Sequence, residues 1–133
     1  MTKIIVIIER AADGTYSAYG QSVDGIWGMG DSAEAAKASA LQSLALFLEH
    51  NPRRKWPKVF RGEYELVFKF DVESLFNYYK KIFTHAGLER ITGINQRLLQ
   101  HYASGLKKPR PVQAKKIEYA LHDLGRELLA LQL

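Results

Sequence analysis

Two apolar periodicities share this chain, and the change from one to the other falls at Asp71. Before it, apolar residues crowd or alternate along short runs. After it, they recur every three or four positions. Residues 3–10 are rich in Ile and Val and predict a buried strand. Asp13-Gly14 then supplies a turn, and the alternating Tyr16, Ala18 and Gly20 complete a hairpin. A third short strand is expected over residues 25–29. Asp31 or Ser32 can cap the helix that follows, with Glu34 near its positive end. From Ala33 to His50 the residues Ala36, Leu41, Leu44 and Leu48 form one apolar stripe, until Asn51-Pro52 ends the helix. Alternation resumes at Tyr64, Leu66, Phe68 and Phe70, which predicts a returning strand.

The expected architecture is therefore α+β over residues 1–70, a small antiparallel sheet with one packed helix, followed by an all-α domain over residues 71–133. Four helices are predicted in the second part. Asp71 caps the first, which turns Leu75, Tyr78, Tyr79 and Ile82 inward. The second covers residues 88–92 and stops at Gly93. Asn95 caps the third, which runs to Gly105. The last follows Pro111 and carries Ile117, Leu121, Leu124, Leu128 and Leu131 on one face.

Composition narrows the class. Of 133 residues, 47% are hydrophobic and 25% charged, the balance of a soluble globular protein. The absence of cysteine excludes a disulfide framework and a thiolate metal site. No signal-peptide pattern is seen and the apolar runs are far too short to cross a bilayer, so the expectation is a cytoplasmic protein with no membrane partner. Charge is unevenly divided. Residues 1–50 hold three basic and six acidic side chains, whereas residues 51–133 hold sixteen basic and eight acidic ones, the asymmetry expected when the second part meets a polyanion.

The run from Leu88 to Pro109 carries the strongest local signal. Gly93 can adopt the left-handed conformation that a tight turn between helices needs, Ile94 can plug the corner, and Leu99 and Tyr102 are spaced to bury one face of the next helix. Gln96, Arg97, Gln100 and His101 then point outward from the early turns, the part that enters the major groove in helix-turn-helix proteins. An arginine such as Arg97 can bond both acceptors of guanine, and Gln96 or Gln100 can pair with adenine. Lys107, Lys108 and Arg110 follow the reading helix and suit phosphates. Asn95 joins this set chiefly as a cap, and His101, which could touch a base or phosphate, reads more often as a solvated surface residue. The bland alternative is a plain helical bundle in which Gly93 and Gly105 are ordinary caps. This run resembles the Cro and lambda-repressor-like family in its Leu, its Gly-hydrophobic-Asn, its two core apolar residues and its Gly-x-Lys-x-Pro. It departs at Glu89, where the family has a small residue, and at Ala103, in place of a common Glu.

Residues 23–36, with Asp24-Gly25, Gly30-Asp31-Ser32 and Glu34-Ala35-Ala36, resemble the HicB antitoxin family. That resemblance implies a degenerate ribonuclease H-like first domain that binds and silences a HicA-like messenger-RNA-cleaving toxin. It also implies a second domain that binds operator DNA; since one reading helix covers only a half-site, a dimer or higher homo-oligomer is expected. The alternative is a stand-alone repressor whose first domain dimerises or senses a ligand. A nuclease would need several carboxylates gathered around magnesium. Glu9, Asp13, Asp24, Asp31, Glu34 and Asp71 instead read as turn, capping or solvated acids, so no catalytic residue, metal or cofactor is expected. Residues 25–30 lack the Lys-Ser/Thr of a phosphate-binding loop, so their glycines are read as a bend and turn in the strand, with Trp27 assigned to the core rather than to an exposed partner contact. The basic, aromatic segment 53–61 is read as an interdomain loop with its aromatics folded inward, in preference to a nucleic-acid clamp.

Overall fold

The structure, a computed structural model, describes all of residues 1–133. Strand β1 (Thr2–Arg10) buries Ile4, Val6 and Ile8 on one face. The turn at Asp13-Gly14 closes as expected: Gly14 takes φ 86°, and the Asp13 carboxylate accepts from the Thr15 N–H at 3.0 Å and its hydroxyl at 2.6 Å. Strand β2 (Tyr16–Gly20) then returns antiparallel to β1 with Tyr16 and Ala18 inward. Strand β3 (Trp27–Gly30) pairs antiparallel to β2.

Helix α1 (Ala33–His50) is capped by Ser32, whose hydroxyl accepts from the Ala35 N–H at 3.0 Å, while the Ala33 N–H donates to Asn77 Oδ1 at 2.9 Å. Its buried face is Ala33, Ala36, Ala40 and Leu44. The small residues there meet glycines. A Cβ at Gly28 would lie 2.3 Å from the Ala40 nitrogen, and one at Gly30 would lie 2.6 Å from the Ala35 Cβ. Strand and helix backbones thus approach more closely than any side chain on β3 would allow. Gly25, φ 100°, makes the bend ahead of β3, as expected, whereas Gly28 and Gly30 serve this close approach. They also turn their neighbours outward, so Trp27 is 60% exposed and the expectation that it belongs to the core is corrected.

Strand β4 (Tyr64–Phe70) completes a sheet of order β3-β2-β1-β4. It runs parallel to β1, with Ile4 opposite Leu66 and Ile8 opposite Phe70, so the sheet is mixed and the expectation of an antiparallel one is corrected. The reason is the helix. Since β3 already runs with β1, a chain that traverses α1 back across the sheet can only re-enter in the direction of β1.

The chain divides into two compact units, Met1–Tyr78 and Tyr79–Leu133. The division lies eight residues beyond the expected one after residue 70. Asp71 does cap a helix, accepting from the Ser74 N–H at 2.7 Å, but that helix, α2 (Val72–Tyr78), packs into the first unit. Glu73 pairs with Arg10 at 2.7 Å, Asn77 caps α1, and Tyr78 contacts Phe70 and accepts a hydrogen bond from Lys37 at 3.1 Å. The predicted inward Ile82 lies outside α2 and is 71% exposed.

The second unit contains α3 (His85–Thr92), α4 (Gln96–Ser104) and α5 (Pro111–Leu129). α3 starts three residues earlier than expected because Thr84 caps it, accepting from the Gly87 N–H at 2.9 Å. Leu88, Ile94, Leu99, Tyr102 and Ile117 are the unit's buried apolar side chains. The predicted inward face of α5 holds only in part: Leu121 and Leu124 are half-buried, while Leu128 and Leu131 are exposed. Length explains it, since eight residues of α3 span about 12 Å and nineteen of α5 about 28 Å. No helix of the chain is long and apolar enough to cross a membrane.

Candidate nucleic-acid interface

The corner between α3 and α4 is fixed by five hydrogen bonds and one buried side chain. Gly93 ends α3 in the left-handed conformation, φ 74°, and its N–H donates to the Glu89 carbonyl at 2.8 Å. The Thr92 hydroxyl, buried, donates to the Leu88 carbonyl at 2.6 Å and accepts from the Ile94 N–H at 3.1 Å. Ile94 fills the corner at 4% exposure. Asn95 Oδ1 then accepts from the Arg97 N–H, and Glu89 Oε2 from the Gln96 N–H, both at 2.8 Å. Two of the donors that a helix start leaves free are thereby occupied. Glu89 bridges the two helices with its carboxylate rather than packing between them. The sequence carries a signal for this in an acid six residues before an Asn cap, but six is not a spacing that periodicity inspects.

This corner sets the orientation of α4. Leu99 is fully buried and Tyr102 nearly so, and the other side presents Gln96, Arg97 and Gln100 to solvent. Residues 96 and 100 are one turn apart on this face, with 97 beside them. His101 is half-buried, and its Nδ1 is enclosed without a hydrogen-bond partner, so the expectation of a freely solvated histidine is corrected. Asn95 is exposed, but its side-chain oxygen is engaged as the cap. Gly105, φ 80°, terminates α4, and the Lys107 N–H donates to the His101 carbonyl at 3.2 Å. Lys107, Lys108 and Arg110 follow as exposed cations before Pro111 starts α5. Across residues 79–133 there are ten Lys and Arg against four Asp and Glu, so the exposed face of α4 belongs to a unit of net charge +6.

Several acids of the first unit have local duties. Asp13 holds its turn, and the Thr15 hydroxyl keeps its carboxyl below the ordinary value. Asp71 caps α2, and Glu9 accepts from the Tyr19 hydroxyl at 3.1 Å. Ser32 rather than Asp31 caps α1. No group of three or more His, Asp or Glu side chains is placed to hold a metal ion. In the segment 53–61 the chain forms two 3-10 turns, Phe60 is buried, and Trp56 Nε1 donates to the Asn51 carbonyl at 2.9 Å. Comparison of the chain with protein-family models, with curated proteins and with solved structures finds no match, so function is argued from the chemistry of these surfaces.

Proposed function

We propose that this chain is an antitoxin and autorepressor: its second unit is a helix-turn-helix that reads operator DNA through α4, and its first unit masks a HicA-like ribonuclease. The observation that carries the reading is the face of α4. Gln96, Arg97 and Gln100 stand exposed together, over a buried Leu99 and Tyr102, on a helix whose start is held by Asn95 and Glu89. Amide and guanidinium groups one turn apart are the side chains that discriminate base edges, and Lys107, Lys108 and Arg110 add sequence-independent attraction to phosphate. Because the Gln96 and Arg97 N–H groups at the start of α4 are occupied internally, affinity in this reading comes mainly from side chains.

The antitoxin half rests on the resemblance of residues 23–36 to HicB. In the fold those residues form strand β3 and the start of α1, where Gly28 and Gly30 meet Ala35, Ala36 and Ala40. A pattern that fixes such a close contact is diagnostic of a fold more than of a contact with the toxin. The acidic excess of residues 1–50 suits a toxin whose own substrate is a polyanion.

One experiment addresses both halves. The full chain is expressed with its neighbouring genes, purified, and titrated against duplex from its own upstream region and against a scrambled duplex. A preference for the upstream duplex with a small basic ribonuclease co-purifying is the expected result. Preference without a ribonuclease favours the stand-alone repressor, and equal binding to both duplexes rejects α4 as a reader.

A further inference from the structure

Five cations lie within nine residues between α1 and β4: Arg53, Arg54, Lys55, Lys58 and Arg61. All are exposed, and no acid occurs between Glu49 and Glu63. None of the five joins an ion pair. The three ion pairs of the chain are Arg10 with Glu73, Lys115 with Glu118, and Arg126 with Asp123. Arg53 and Arg61 brace the segment through backbone carbonyls, Arg53 donating to the Arg61 oxygen and Arg61 to the Trp56 oxygen at 3.2 and 3.3 Å. Such bonds hold the guanidinium groups in place without neutralising them. The side chains of Arg54, Lys55 and Lys58 make no hydrogen bond. The charge is local, since residues 1–78 together hold nine Lys and Arg against ten Asp and Glu.

The aromatics decide which polyanion fits. Phe60 is buried edge-on to Tyr64 at 5.2 Å, and the Trp56 indole is tied inward to Asn51. Neither ring is presented for a base to stack on, as a single-stranded nucleic acid requires, and the segment offers no exposed large apolar side chain to enter a bilayer. What remains is phosphate at the surface of a duplex. A second observation agrees. Lys58 lines a groove of about 430 Å³ together with Lys3, Gln21 and Ser22, so two lysines and two neutral polar residues border one concavity.

We propose that this face of the first unit is a sequence-independent contact with the phosphate backbone of duplex DNA, made by Arg54, Lys55 and Lys58 and extended into the groove by Lys3. The inference rests on the operator-binding reading for its ligand and assigns the first unit a share of the affinity. The test uses the full chain carrying Arg54→Ala, Lys55→Ala and Lys58→Ala together, three side chains that hold nothing in the fold. A second variant, Lys3→Ala with Lys58→Ala, shares Lys58 with the first and adds the groove's other lysine. Circular dichroism and melting establish that each is folded. The triple variant is expected to bind upstream and scrambled duplexes more weakly by the same factor. Its slope of log affinity against log salt should fall by about 0.9 for each phosphate no longer neutralised, and that of the groove variant by up to about 1.8. Unchanged slopes in both variants overturn the proposal. So does a parent protein that holds single-stranded RNA more tightly than duplex, with only the RNA binding abolished in the variants. If the parent shows no preference between the two duplexes, operator reading by α4 fails, while a reduced slope in the variants still establishes the phosphate contact.

Discussion

The Glu89 carboxylate accepts the backbone N–H of Gln96 at 2.8 Å and so ties the last turn of α3 to the first residue of α4. An acid at this point both satisfies a free donor and faces the positive end of the α4 dipole. The bond stabilises the corner that orients the reading face, while placing a negative charge close to where DNA is proposed to lie. Glu89→Ala is expected to lower stability by about 1 kcal/mol, the usual loss for a helix-start acceptor, with Glu89→Gln retaining much of it. Denaturant midpoints of the three proteins measure this, and an Ala variant as stable as the parent would show that the bond contributes nothing.

Specificity and affinity separate along α4 and the loop after it. Arg97→Ala or Gln100→Ala should weaken binding to the cognate duplex by about 1 to 3 kcal/mol for each base that is no longer read, and binding to a scrambled duplex only slightly. Lys107→Ala with Lys108→Ala should weaken both duplexes alike and reduce the salt slope by about 0.9 per phosphate. Gel shifts over a salt series distinguish the two patterns. A weakening of equal size on both duplexes for Arg97→Ala rejects it as a base reader.

The exposed end of α5 and the residues just after it bear on assembly. Leu128 and Leu131 are 56% and 66% exposed, and a two-fold operator calls for a two-fold protein. Leu128→Asp with Leu131→Asp is expected to shift sedimentation from dimer to monomer and to weaken operator binding. A parent that sediments as a monomer, free and on DNA, contradicts the expectation.

Gly28 admits no side chain. Its Cβ would stand 2.3 Å from the backbone nitrogen of Ala40, and a helix backbone cannot yield as a flexible side chain can. Gly28→Ala should therefore destabilise the first unit by about 1 to 3 kcal/mol or more, as overpacking does. Urea unfolding followed by Trp56 and Trp27 fluorescence reads it, and a midpoint equal to the parent's refutes the close packing.

Burial raises the Tyr16 phenol above its ordinary value of about 10, with Glu73 and Asp71 adding to the shift and Arg10 opposing it. A folded state that holds its proton more tightly than the unfolded chain has this contribution in full below the ordinary value. It loses the contribution as pH rises through the raised one. The denaturation midpoint should fall above about pH 10, and fall less in Tyr16→Phe. Superimposable alkaline profiles would exclude Tyr16 as a cause.

The residues legible in the sequence are those whose side chains report their own surroundings. Tyr16 and Ala18 alternate with less buried neighbours because one sheet face is covered, and Leu99 and Tyr102 recur at helical spacing because one side of α4 is. Direction and partnership leave no such trace. Alternation in Tyr64–Phe70 marks two faces but is the same for a parallel as for an antiparallel strand, so the pattern of β4 does not disclose its sense. Asp71 marks where a helix begins, not the unit against which it packs. Hydropathy misplaces Trp27 because its inward neighbours are Gly28 and Gly30, and a glycine that faces the core contributes nothing to an apolar pattern. The α4 face is legible; the Glu89 bridge beneath it depends on a tertiary hydrogen bond that no local spacing encodes.

The position of β1 between β2 and β4 imposes an order of events on a chain made from its first residue onward. Its partner on one side, β2, closes through a short turn and is available at once. On the other side Thr2 pairs with Tyr64, about sixty residues later. Non-local pairing of this kind is slow, because the loop must close before the contacts that reward it can form. Until β4 emerges, the Ile- and Val-rich β1 stands as an open edge, a surface that recruits other chains. The first unit is therefore most vulnerable to aggregation during synthesis. Slowing translation before β4 has left the ribosome should increase insoluble product, while slowing it afterwards should not.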